Sequence, residues 1–185
     1  MLLRGLAAVA PGFATAAVRT VTDCGDTTPG GAPGQLRRLI TDADPGDTIE
    51  VPDCVIALGG ASGEDANAGG DLDVDKDLTI RGVGGRRTVI DGGAVDRVFD
   101  VFAPATVTIE QSFIEANVAA GCLFGLVSGI LNNSGTLTLT RSTLRGNSGM
   151  GVNSSTGAIT NGGTLNLVDS TVSGSDGGGN GRGES

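Results

Sequence analysis

The sequence predicts an all-β chain wound as a parallel β-helix, with one short helix near its start, and three observations carry that expectation. The first is an internal repeat. Residues 105–117 (ATVTIEQSFIEAN), 135–147 (GTLTLTRSTLRGN) and 163–175 (GTLNLVDSTVSGS) share one template at start-to-start spacings of 30 and 28, with a weaker copy at Asp77–Arg81. The second is the period inside each unit: Leu137 and Leu139 alternate with Thr136, Thr138 and Thr140, as in a strand with one buried face. A second short strand follows at Ser142–Leu144, then a Gly-Asn corner, then a third apolar pair such as Ile130-Leu131 or Ala158-Ile159. Three short strands per coil, each stacked on its counterpart in the next, describe a parallel β-helix; a leucine-rich repeat would need L-x-x-L-x-L instead of the L-x-L-x-x-S-x-L found here. The third is composition. Gly and Pro number 33 and 6, below the share that marks a disordered chain, and the 47 Leu, Ile, Val and Phe residues suffice for a core.

Taken in chain order, residues 1–16 read as an export signal: Met1-Leu2-Leu3-Arg4, a short apolar run, then the A-x-A site Ala14-Thr15-Ala16. The apolar run Gly5–Ala10 is short, so a tail or an upstream start is the alternative. Residues 17–176 form one predicted domain. Cys24 and Cys54 both sit at strand ends, where an oxidising compartment would allow a bridge; two buried free thiols are the other reading. Cys122 is left unpaired as a small core residue. Leu36, Leu39 and Ile40 fall at i, i+3 and i+4, predicting a one-sided helix over about 34–43. Arg37, Arg38 and Asp42 are placed outside, and the helix covers the open end of the first coil. Residues 177–185 are too Gly-rich to cap anything and read as a disordered tail, so the last coil is left open and the chain reads as the front part of a longer protein.

Several function classes drop out. The chain has no His, Trp or Tyr, which removes histidine bases and metal ligands, Ser-His-Asp and Cys-His pairs, and the usual stacking platforms for sugars and bases. A net charge of −9 without clustered Lys and Arg excludes nucleic acid as a partner. No stretch approaches the ~20 apolar residues of a membrane span.

Two constellations remain. Asp71, Asp73, Asp75 and Asp77 alternate with other residues, so on a continuous strand their carboxylates share one face, and a Ca²⁺ held by Asp71, Asp73 and Asp75 would relieve their repulsion. The preferred alternative is a solvated strand face turning at Asp75-Lys76-Asp77, because no Gly-x-Asp loop accompanies it. Thr106 and Thr108, Thr136 and Thr138, and Thr164 with Asn166 would stack as an outward ladder. Such arrays can bind ice, but ordinary β-propensity explains this one more simply. Ser112, Ser142 and Ser170, Asn117 with Asn147, and Asn133 with Asn161 stack as structural ladders. No catalytic residue is assigned.

Several segments resemble a known family. They are Gly34–Ile40, Pro45–Ile49, Gly70–Val74, Asp77–Gly82, Thr88–Gly92, Arg97–Phe99 and the Gly-Thr-Leu-x-Leu-x-x-Ser-Thr repeats. They are similar to the bacterial right-handed parallel β-helix repeat surface proteins, which share the pectate-lyase-like fold and the repeat style of polymorphic outer-membrane and autotransporter-passenger proteins. The resemblance spans about residues 20–176; Gly121–Phe124 departs from it, standing where the family has a Gly-rich turn. It implies a secreted or cell-surface bacterial protein, and the reading adopted with it is a non-enzymatic, adhesin-type rod that presents a surface to a host or surface glycan or protein; the exposed parallel edge of the open last coil predicts end-to-end self-association. The alternative it implies is a polysaccharide lyase or glycoside hydrolase on the same fold. That would need a base such as Arg beside calcium carboxylates, and Arg81, Arg86, Arg87 and Arg97 match no such motif. No cofactor is expected other than calcium at the aspartates.

Overall fold

The computed structural model describes residues 15–63, 66–84, 87–93, 96–115, 118–120, 129–150 and 157–177. The chain is a parallel β-solenoid of about four turns with one short helix. Strand β1 (Val18–Thr20) precedes helix α1 (Leu36–Asp42). The first full coil holds β2 (Thr48–Glu50), β3 (Cys54–Ala57) and β4 (Leu72–Val74), and the second β5 (Leu78–Arg81), β6 (Thr88–Asp91) and β7 (Phe99–Phe102). The third holds β8 (Thr106–Glu110), β9 (Phe113–Glu115), β10 (Val118–Ala120) and β11 (Ile130–Asn133). The fourth holds β12 (Thr136–Thr140), β13 (Thr143–Arg145), β14 (Ser148–Met150) and β15 (Ile159–Asn161), and β16 (Thr164–Val168), β17 (Thr171–Ser173) and β18 (Asp176–Gly177) follow.

Like strands stack in register. One sheet runs β1-β2-β5-β8-β12-β16, a second β3-β6-β9-β13-β17 and a third β4-β7-β11-β15. A fourth, β10-β14-β18, was not expected from three strands per coil. It fits because the chain between the second and third sheets is longer in the later coils (115 to 130) than in the second (91 to 99), leaving room for another pairing segment.

Register converts the repeat into a core. Ile49, Ile80, Ile109, Leu139 and Leu167 form one inward column, and Ile56, Ile90, Ile114, Leu144 and Val172 another. The expected inward residues Val107, Ile109, Leu137 and Leu139 are fully buried, whereas Leu165 is only partly so and Leu167, in the last coil, is half exposed. At each corner after the long strands of the first sheet, Gln111, Arg141 and Asp169 turn the chain with φ of 52°, 47° and 49°. Each is followed by a Ser of the expected ladder: Ser142 Oγ donates to the carbonyls of Ile109 and Thr140, and Ser170 Oγ to those of Leu139 and Val168.

The N-terminal end is closed as anticipated by the helix, whose Leu36 and Ile40 enter the core beside Ile49 and Leu72. Cys24 and Cys54 form a disulfide with Cα atoms 6.4 Å apart. Arg38 and Asp42 pair on the outside, as expected at i and i+4. Arg37 does not. It is fully buried, a correction to its expected outward position, because its guanidinium pairs twice with Asp26 and donates to the carbonyls of Gly69, Gly70 and Asp71. Those carbonyls lead into β4, the first strand of its sheet among the described residues, with no preceding strand there to bond them. Most of the export-signal segment, and also Cys122, Gly121–Phe124 and residues 178–185, lie outside the described residues.

Candidate cation site

The third sheet carries an unusual feature on its outer face. In Leu72-Asp73-Val74 the two apolar residues point to the core, so Asp73 points away from it, and the register sets Asp73 beside Asp100 of Phe99-Asp100-Val101 in the next coil. Asp71, two residues earlier, shares the face of Asp73. Each of Asp71, Asp73 and Asp100 presents a carboxylate oxygen within 4.8 Å of the other two. An outward face is normally wet, yet these residues are 0%, 7% and 2% exposed.

The cover comes from the segment before β4. Asn67, in a left-handed conformation with φ of 53°, donates its backbone N–H to Asp73 Oδ2 at 2.7 Å, and its side-chain amide bonds the Arg37 carbonyl and the Thr41 hydroxyl. The loop is thereby tied to α1. From the other side comes Arg97, whose Nε donates to Asp71 Oδ2 at 2.9 Å and whose Nη2 lies 3.4 Å from Asp100 Oδ2. Asp96 adds a fourth buried carboxylate, accepting from the N–H groups of Gly63 and Arg97.

The electrostatics follow from this crowding. Burial, reinforced by Asp96 and opposed by Arg97, pushes the Asp71 carboxyl up to about 6. Burial would lower the Arg97 pKa, but Asp71, Asp100 and Asp96 together hold it above its usual value. Asp71 Oδ1, fully buried, accepts no hydrogen bond from the described residues. A cavity of about 130 Å³, lined by Thr41, Asn67, Asp73, Asp75, Lys76 and Phe102 among others, reaches Asp73.

Of the aspartates singled out in the sequence, the structure therefore brings together Asp71 and Asp73 and adds Asp100. Asp75 and Asp77 stand apart, because β4 ends at Val74 and the chain turns there. Asp75 is exposed beside Lys76, and Asp77 accepts the Thr106 N–H. Asp100 was legible in principle: Leu-Asp-Val and Phe-Asp-Val are one coil apart. Of the arginines, Arg97 joins the cluster, Arg81 pairs with Glu110 and Arg87 with Asp53 on the surface, and Arg86 lies outside the described residues.

Comparison with known proteins leaves the geometry to speak alone: no family model, no curated protein and no solved structure matches this chain. The arrangement is chemically suited to a hard cation with oxygen ligands. Asn67, tied to α1 by its side chain, lies over the Asp73 carboxylate.

Proposed function

We infer that this solenoid is an exported presentation scaffold that binds a surface glycan or protein along its side without turning it over. The observation that carries this reading is the outer face of the six-stranded sheet. Thr48, Thr79, Thr108 and Thr138 continue in one column, ending in Asn166, whose amide donates to the Thr138 hydroxyl at 3.2 Å. Thr106, Thr136 and Thr164 run beside it, and on the other side Arg81 bridges Glu50 and Glu110. The threonine column is longer than the repeats suggested, because Thr48 and Thr79 extend it into the first two coils. Neighbouring strands lie about 4.8 Å apart, so hydroxyls and charges repeat on a fixed grid with their backbone groups already satisfied. Such a grid offers hydrogen bonds to a partner at no ordering cost in the scaffold.

The disulfide is compatible with an oxidising, extracytoplasmic location, and no helix among the described residues is long and apolar enough to cross a membrane. The rival reading, a polysaccharide lyase or glycoside hydrolase, draws on the Asp71 group beside Arg97; the cover over that group favours the scaffold. Screening the purified chain against a glycan array and a set of cell-surface proteins tests this, with a variant carrying Thr79→Lys, Thr108→Lys and Thr138→Lys as control. A ligand bound by the parent and lost in the variant is expected. Calcium-dependent release of unsaturated or reducing ends from polygalacturonate would overturn the non-enzymatic reading.

A further inference from the structure

We propose that Asp71, Asp73 and Asp100 hold one calcium-type divalent cation that clamps the first coil to the second. Two independent observations carry the proposal. The first is geometric: carboxylate oxygens from Asp73 on β4, from Asp71 just before it and from Asp100 on the adjacent β7 converge within 4.8 Å, which is the largest separation that two oxygens each about 2.4 Å from a common Ca²⁺ can have. The smaller Mg²⁺, at about 2.1 Å, would draw them closer and demand a regular octahedron. The chain has no His, and the described Cys residues are joined in the disulfide, which leaves a hard, oxygen-only ligand set.

The second is Asp71 Oδ1. It belongs to a fully buried side chain, accepts no hydrogen bond from the described residues, and sits on a carboxylate aimed into the cluster. A buried carboxylate oxygen is ordinarily satisfied, and one without a donor marks a place where a cation or a proton belongs. A proton serves one oxygen, whereas the convergence of three carboxylates favours a cation that serves all three at once; Asp71, Asp73, Asp96 and Asp100 are all buried, and Arg97 engages Asp71, Asp96 and Asp100. The supporting contacts have the form of an outer shell that orients ligands: Arg97 engages Oδ2 of Asp71 and of Asp100, and the Asn67 N–H engages Oδ2 of Asp73. The cavity at Asp73 supplies the entry path and room for the waters that complete a sixfold or higher shell. This site is separate from the threonine face and does not depend on its binding anything.

The test uses the full chain with its disulfide intact, stripped with a chelator and titrated with CaCl₂ at pH 8, where protonation no longer competes. Calorimetry should show one Ca²⁺ per chain, and the melting temperature followed by circular dichroism should rise with calcium concentration as ligand linkage requires. Asp100→Asn should weaken calcium binding by more than about 10-fold, and Asp53→Asn, on the surface beside Arg87, should leave it unchanged. If Asp100→Asn does not fold, the parent titration decides alone. Absence of stoichiometric binding by the folded parent at millimolar calcium overturns the proposal, as does an equal or stronger response to magnesium, or an Asp100→Asn variant that binds like the parent. Glycan or protein binding by the threonine face enters none of these readouts.

Discussion

The two ends of the solenoid are built from the same kind of strand and meet water in opposite ways. At the N-terminal end the first inward residues, Ile49, Ile56 and Leu72, are as buried as any in the chain, because α1 lays Leu36 and Ile40 over them, the disulfide holds β3 to the segment before the helix, and Arg37 bonds the carbonyls that lead into β4. At the other end, Leu167 and Val172 are 49% and 41% exposed, although the residues one coil earlier in the same columns, Leu139 and Leu144, are fully buried. Among the described residues no element lies over this last coil. Burial in a solenoid is therefore supplied by the neighbouring coil, and matching repeat positions are core in one coil and surface in the next.

The largest expected effect lies in the covered end. Arg37→Met should destabilise the chain by about 3–5 kcal/mol, since it strands the Asp26 carboxylate in a buried place and removes the donors to three carbonyls. Adding Asp26→Asn should recover part of that loss; urea denaturation of the single and double variants reads both. Replacing Cys24 and Cys54 by Ser opens a loop with a sequence separation of 30 and should cost ~3–4 kcal/mol in the chain-entropy model, measured the same way.

The comparison between ends is sharpest in a matched pair. Leu139→Ala should cost about 2–5 kcal/mol and Leu167→Ala under about 1 kcal/mol, although the two side chains are register partners. Equal losses would show that the last coil is covered in solution. Segment-resolved hydrogen exchange on a dilute monomer gives a second reading, with amides of 164–168 exchanging faster than those of 106–110.

The smallest expected effect is on pH dependence. The Asp47 carboxylate is held below its ordinary value of 3.8 by the Ala17 N–H first, then by Arg19 and the Asp44 N–H, against the desolvation that would raise it. A carboxylate with a depressed folded pKa contributes stability that is present above the ordinary value and is lost as pH falls through the folded one. Exchange of β1 should accordingly rise below about pH 4, and Asp47→Asn should remove that acid response. An unchanged acid response in the variant would assign it to another group.

Much of the architecture is legible because it repeats. The spacings of 30 and 28 set which residues stack, and the alternation of Leu137 and Leu139 with threonines sets which face inward, since a one-residue slip would turn every apolar residue outward. The helix face at Leu36 and Ile40 and the disulfide between Cys24 and Cys54 followed from local pattern and strand-end placement. What the tertiary structure decided are the features whose partners are distant in sequence and not periodic. Helical spacing puts Arg37 outside; the carbonyls of Gly69–Asp71 and the Asp26 carboxylate, on segments that no repeat relates to α1, draw it in. Alternation puts Asp71, Asp73, Asp75 and Asp77 on one face, but it holds only as far as the strand does, and β4 stops at Val74. The cluster is completed by Asp100 from the next coil and covered by Asn67 from a loop. Periodicity encodes stacking because each coil makes the same contacts, whereas a buried charge is placed by whichever groups can solvate it, and only the folded chain brings those together.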